Sequence, residues 1–270
     1  MPLRRFRPAS NRPATAVVSG AASGFGQAMV ERLAARGWQV AAVDLPEPLN
    51  AATLPTGVRG FPGDVRDAGF WADLHDQLRT AWAGLDLLVN AAGVGATGEV
   101  GTLPEAQWRR VLDTNLLGTA LGCEAFLPWL REAPDRSHLV NMASIAAILA
   151  PPSMAAYSAS KAGVVALSEA IAAECDRGRP GVTVACPGFF RSGLLDTWHF
   201  GDGVQRREAK RRMATTAWTS ERVADRVLAA VDRNRRYVVV GAQARWLWRL
   251  KRLAPRSTTA LVRGIYRRLG

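Results

Sequence analysis

Tyr157 and Lys161 stand four residues apart in an alanine-rich stretch, AAYSASKAGVVALSEAIAAECD (155–176), that reads as a helix. Residues at that spacing project from one helix face, so a phenol and an amine are placed side by side. An ordinary tyrosine keeps its proton up to a pH of about 10 and is a poor base near neutrality. A neighbouring ammonium stabilises the phenolate and lowers that value, and such a phenol can exchange a proton with a hydroxyl or carbonyl oxygen. Ser144 closes the apolar run HLVNMAS (138–144), 13 residues before Tyr157, and offers a hydroxyl to the same oxygen. A bare Tyr-x-x-x-Lys spacing is common on surface helices; behind a strand-ending serine it is a sharper signal.

A second constellation lies near the N-terminus. SGAASGFG (19–26) follows the valine-rich run ATAVVS (14–19) and opens a helical stretch to Arg36, punctuated by Gly37. A helix N-terminus presents unpaired N–H groups and about half a positive charge. Gly20, Gly24 and Gly26 would let a pyrophosphate approach that backbone closely. Three glycines alone also describe an ordinary turn, but their position directly after the first apolar strand strengthens the phosphate reading. Asp44 ends the second buried run, WQVAAVD (38–44), where a carboxylate accepts hydrogen bonds from a ribose 2′-hydroxyl and repels a 2′-phosphate. No arginine follows it at once, and Ser23 rather than a base precedes Gly24. The pattern favours NAD over NADP.

The elements that must position these groups alternate along the chain. Strands are expected at 14–19, 38–44, 57–61, 85–90, 138–144, 181–187 and 236–241. Helices are expected after the glycine loop, from Asp67 to Trp82, from Glu105 to Leu130, over 155–176 and over 220–232. That order predicts a single doubly wound Rossmann fold, α/β, with a mainly parallel seven-stranded sheet and helices on both faces. Residues 1–13 read as a flexible basic arm, 14–241 as the catalytic domain with a mobile lid at about 188–218, and 242–270 as a basic amphipathic tail.

Composition narrows the class further. The net charge of +12 sits at the two ends: four arginines fall in the first 14 residues, and eight Arg or Lys with no acid follow from Arg245 onward. The body between is neutral, so the basic character says little about the site. Cys123, Cys175 and Cys186 form no CxxC pair, and His75, His138 and His199 have no metal spacing. No metal is expected. A reduced, cytoplasmic setting is, since neither a secretory leader nor an apolar run of spanning length is seen.

With these residues in order, the sequence resembles the short-chain dehydrogenase/reductase superfamily over roughly 14–241. The resemblance is carried by SGAASGFG, Asp64-Val65, NAAG (90–93), Asn115, Ser144, YSASK (157–161) and Pro187-Gly188. It implies a catalytic set of Asn115, Ser144, Tyr157 and Lys161, with Asn115 holding a water in a proton relay to Lys161. It implies that Gly20, Ser23, Gly24, Phe25 and Gly26 hold the pyrophosphate side. Asp44 and Leu45 would meet the adenosine ribose, Asp64 and Val65 the adenine, and Asn90, Ala91 and Gly93 the cleft wall. Lys161 would also bind the nicotinamide ribose beside Tyr157, with Pro187, Gly188 and Ser192 flanking the nicotinamide. Tyr157 would take the alcohol proton as hydride passes to the nicotinamide. Ser19 and Ser192 stand where threonine is usual, and both keep a hydroxyl.

The run IAAILAPPSMAA (145–156) has no charge, and FFRSGLLDTWHF (189–200) is rich in aromatic and aliphatic side chains. Both suit a hydrophobic alcohol or ketone such as a lipid, terpenoid or steroid, or else a lid packed on the body. In the tail, Trp246, Leu247, Trp248, Leu250 and Leu253 interleave with Arg249, Lys251 and Arg252, and Pro255 should split it into two helices. Such a segment either lies on an anionic membrane surface or packs on its own body or a second subunit, packing being the favoured reading. Nucleic-acid binding is not expected, because no recognition motif accompanies the charge. The resemblance also implies a homodimer or homotetramer formed through the helices at 105–130 and 155–176. The competing reading is a catalytically silent dinucleotide-binding module or a membrane-surface scaffold; an intact Asn-Ser-Tyr-Lys set argues against both.

Overall fold

The computed structural model describes residues 12–133, 137–175 and 179–267. In chain order the strands are β1 (Thr15–Ser19), β2 (Gln39–Asp44), β3 (Val58–Pro62), β4 (Leu87–Asn90), β5 (Ala96–Thr97), β6 (His138–Met142), β7 (Gly181–Pro187), β8 (His199–Phe200) and β9 (Tyr237–Val240). The first half of the chain adds helices α1 (Gly24–Ala34), α2 (Pro46–Ala51), α3 (Ala68–Ala81), α4 (Glu105–Leu112) and α5 (Gly118–Arg131). The second half adds α6 (Ala146–Leu149), α7 (Ala155–Glu174), α8 (Gly203–Thr215), α9 (Ser220–Val231), α10 (Ala242–Leu253) and α11 (Pro255–Arg267).

Seven strands pair in the order β3-β2-β1-β4-β6-β7-β9, and every pairing is parallel. The expected seven-stranded doubly wound sheet is therefore present. Its central strands β1, β4, β6 and β7 are buried along their whole length, as strands covered on both faces must be. On one face Met29 and Leu33 of α1 pack with Val227 and Leu228 of α9. On the other, Trp71 and Leu74 of α3 pack with Phe126 and Leu130 of α5. The chain reverses its winding between β1 and β4, and the strand C-terminal ends there open the crevice where doubly wound folds bind ligands.

Three features depart from the sequence reading. The helix expected over 105–130 is broken by a π turn (Asp113–Leu117) between α4 and α5. Periodicity cannot register one extra residue in a helical turn, yet such bulges often mark sites of function. The segment 188–218, read only as a lid, holds a 3₁₀ turn (Gly193–Thr197), β8 and α8, and β8 pairs with β5. At the N-terminus, residues 1–11 of the expected arm lie outside the described residues. Arg12 is not free: its guanidinium makes a two-pronged pair with Asp86 at 2.8 and 2.9 Å.

Asp86 is buried and also accepts the Thr15 backbone N–H at 2.8 Å, so one carboxylate fixes the entry to β1. Removing it leaves a guanidinium and an amide without their acceptor. Asp86→Ala is expected to cost roughly 3 kcal/mol of unfolding free energy. Urea titration of both proteins checks this, and a change within error would deny the pair a structural role.

The tail packs on its own body, as the favoured reading of it anticipated. Pro255 divides it into α10 and α11, both of which pack against α6, and α10 also packs against β9. Trp248 faces inward onto Tyr237, with ring centroids 5.9 Å apart. Trp246, Leu253 and Leu261 remain exposed. Among the described residues no helix is long and apolar enough to cross a membrane.

Candidate functional site

The crevice beyond the strand ends is a cleft of about 840 Å³. It runs from the glycine loop and Asp44 past Gly93 to Tyr157, and it ends among apolar residues of the segment 188–218 and the tail. Of the residues expected to meet a cofactor, all but Asn90 line it.

The turn from β1 into α1 is built for close approach. Gly20 has φ +66°, and a Cβ there would fall 2.7 Å from the Ala92 nitrogen. A Cβ on Gly26 would fall 1.9 Å from the Gly20 carbonyl oxygen, so the turn can close only over a bare α-carbon. Ser19 Oγ accepts the Ala91 and Ala92 backbone N–H groups at 3.2 and 3.4 Å, tying the loop to the end of β4. Asp44 accepts the Ala22 N–H at 2.9 Å and the Leu45 N–H at 2.8 Å, which orients its carboxylate at the cleft edge. Asp64 is held by Arg66, whose hydrogen bonds keep that carboxyl below its usual range.

Asn90 corrects the expectation placed on it. Its side chain is buried on the α5 side of the sheet, where its amide donates to Asn141 Oδ1 at 2.9 Å. A residue at the end of a pleated strand must send its side chain to one face, and here that face is away from the cleft.

The phenol and the amine are brought together as the helix spacing requires. Tyr157 and Lys161 are both buried on the cleft side of α7, with Lys161 Nζ 6.0 Å from the phenol ring centre. Ser144 hydrogen-bonds the Tyr157 hydroxyl and also accepts the Ala146 N–H at 3.1 Å. Lys161 donates to the Met142 carbonyl at 2.8 Å. Asn115, on the π turn, lies behind the pair. Its Oδ1 accepts the Val94 N–H at 2.8 Å, and its amide donates to the Val94 carbonyl at 2.9 Å and to Ser160 Oγ at 3.0 Å.

The electrostatics differ from the sequence expectation. Burial pushes Tyr157 up to about 12, outweighing its bond to Ser144, and pushes Lys161 down to about 8. Both groups share one apolar setting, which favours the neutral form of each. In the chain alone, the amine does not lower the phenol.

Several cleft residues have no motif to announce them. Trp198, from the apolar run 189–200 expected to line the pocket, packs on Tyr157 with its ring tilted at 49° and ring centroids 4.9 Å apart, and a Cβ on Gly95 would fall 2.1 Å from its indole. Arg110 holds that wall by donating to the Gly95 and Thr197 carbonyls at 2.9 and 3.1 Å. Gln243, Leu247, Val262 and Tyr266 line the far end. The sequence reading of the tail, packing on its own body or on a second subunit, gave no sign that it reaches the cleft.

The crevice is tested for a dinucleotide by Ser192. Its Oγ is buried with no hydrogen-bond partner, and its Cβ lies 3.2 Å from where a Cβ on Gly24 would be. An unpaired hydroxyl beside the N-terminus of α1 is what an anionic phosphate would satisfy. The residues present fit the group.

Such a crevice places the chain in the class of nucleotide-binding oxidoreductases with a doubly wound sheet. The chain belongs to the short chain dehydrogenase family, whose model matches residues 14–200. A probable oxidoreductase, EphD, of Mycobacterium tuberculosis is 29% identical over 261 residues; the match covers 91% of this chain and 44% of that protein. The chain thus spans less than half the length of that relative. A short-chain dehydrogenase/reductase of Burkholderia phymatum, solved with NAD, superposes with a TM-score of 0.81 at 28% identity, covering 89% of this chain and 93% of that one. A short chain dehydrogenase of Burkholderia cenocepacia, solved with NADP, gives 0.78 at 25% identity, covering 93% and 98%. The family binds nicotinamide dinucleotides of both kinds.

Proposed function

We propose that this protein interconverts a hydrophobic secondary alcohol and its ketone, with Tyr157 as the proton-exchanging group and NAD preferred to NADP. The observation that carries the reading is the buried phenol of Tyr157, hydrogen-bonded to Ser144 and one helical turn from Lys161, at the cleft end beyond the glycine loop. Gly20, Ser23, Gly24, Phe25 and Gly26 would hold the pyrophosphate, and Ser192, expected from the sequence to flank the nicotinamide, would reach it too, since its unpaired hydroxyl lies beside the N-terminus of α1. Asp44 and Leu45 would hold the adenosine ribose, and Asp64, Val65, Ala91, Gly93, Pro187 and Gly188 the remaining walls. When bound, the nicotinamide supplies the two-electron redox chemistry.

Ser144 Oγ holds the substrate oxygen, and Tyr157 Oη takes the alcohol proton in oxidation or returns it in reduction. Lys161 Nζ restores the phenol's proton balance. Asn115 is tied to Val94 and Ser160, and steadies the wall through which a water relays protons to Lys161. Trp198 and the neutral lining keep bulk water from the reacting oxygen. The ordered segment 188–218 acts as the lid. Leu117 is 47% exposed on the π turn, which supports association of two copies through α4–α5 and α7.

The test is a screen of aliphatic, terpenoid and steroid alcohols with each dinucleotide, read at the reduced-nicotinamide absorbance. No absorbance change with any of them would sink the oxidoreductase reading. Asp44 carries the cofactor preference. Asp44→Ala is expected to lower the ratio of kcat/KM for NAD over NADP by about 10–100-fold, the worth of hydrogen bonds to a charged acceptor. An unaltered ratio would place the preference elsewhere.

A further inference from the structure

The tail beyond residue 241 lies outside the segment that matches the family model, yet it reaches the cleft. We propose that the α10–α11 hairpin is the far wall of this chain's own substrate cleft and sets the length of apolar chain that fits. Val262 is the gauge and Tyr266 the latch.

The hairpin is tied to itself and to the site. Lys251 on α10 donates to Thr259 Oγ1 on α11 at 2.9 Å, and Thr258 between them is fully buried. Tyr266 hydrogen-bonds Ser153, which sits in the short loop between α6 and α7. That loop lies between Ser144 and Tyr157 in sequence and carries Met154 into the cleft. Its other side is fastened where the Gly98 N–H donates to the Ser153 carbonyl at 2.8 Å. Ala150 and Ser153 have positive φ, 45° and 60°, a backbone form that ordinary residues keep only when held from outside. Tyr266 and Gly98 hold it from opposite sides. The wall they steady is apolar: Leu149, Met154, Leu195, Leu247 and Val262 face one space. An alkyl chain extending from the carbinol carbon would be buried there. Gln243 and Tyr266 add polar groups to the same lining, as do Gln205, Glu208 and Arg212 of α8.

The inference rests on the proposed function for the position of the carbinol, so the experiment reads binding apart from turnover. Calorimetry on the full chain with NADH bound, a pair that cannot react, gives dissociation constants for 2-butanol, 2-octanol and 2-decanol. Affinity is expected to rise with chain length. Val262→Phe, which intrudes on the wall, is expected to reduce the preference for 2-decanol over 2-butanol by about tenfold or more. Tyr266→Phe, which only releases the latch, is expected to reduce it less. Equal preference in the wild-type protein and Val262→Phe, or no dependence on chain length in either, overturns the inference. Graded binding without turnover would instead leave the hairpin's role standing and remove the oxidoreductase reading.

Discussion

Tyr157→Phe is expected to lower turnover by about 10²–10⁴-fold, the usual worth of a positioned acid or base, while dinucleotide binding stays close to that of the wild-type protein. The substitution removes one hydroxyl and keeps the ring that packs against Trp198, centroids 4.9 Å apart. The fold therefore has little reason to change. The pH profile sharpens the test. Burial holds the phenol up at about 12 and the amine down at about 8. Oxidation needs the pair to accept a proton, so its kcat/KM should rise with pH through the alkaline range, as Lys161 loses its charge and then Tyr157 its proton. Reduction needs a proton donated and should fall over the same range. In the Phe variant the alkaline rise in oxidation should disappear. A variant with near-normal rates and an intact pH slope would take Tyr157 out of the chemistry.

Gly26→Ala should damage the protein at the other end of the cleft. Its new Cβ would need to occupy space 1.9 Å from the Gly20 carbonyl, a backbone atom in a turn that is itself pressed against Ala92. Either α1 slides or the loop opens, and in both cases the N–H groups proposed to meet the pyrophosphate move. A displacement of that size is expected to cost about 100-fold in kcat/KM for the dinucleotide, with a stability loss of roughly 1–3 kcal/mol from overpacking. Gly37→Ala separates backbone strain from collision. Gly37 has φ +77°, yet nothing lies within 4 Å of a Cβ placed there. That variant should lose about 1 kcal/mol of stability and keep its dinucleotide kinetics. Equal kinetic losses in the two variants would mean that strain, not the close approach at Gly26, governs the loop.

The sequence alone determined the features that depend on neighbours along the chain. The valine-rich runs at 14–19 and 181–187 could only be buried strands, and their alternation with amphipathic helices dictates a parallel doubly wound sheet. Tyr157 and Lys161 share a face because a helix repeats every 3.6 residues. Gly20 and Gly26 announced a loop whose backbone must be approached closely, and the structure shows no room for a Cβ at either. Tertiary structure decided what depends on residues remote in sequence. It turned Asn90 to the far face of the sheet and set Asn115 on a π turn, where it bonds both Val94 and Ser160. It fastened Arg12 to Asp86, across 74 positions of chain. Above all, it settled the balance of charge at the site: the spacing of Tyr157 and Lys161 suggests that the amine eases the phenol's proton away, whereas their shared burial raises one and lowers the other. Desolvation is summed over every atom that excludes water, and those atoms are gathered only when the chain folds.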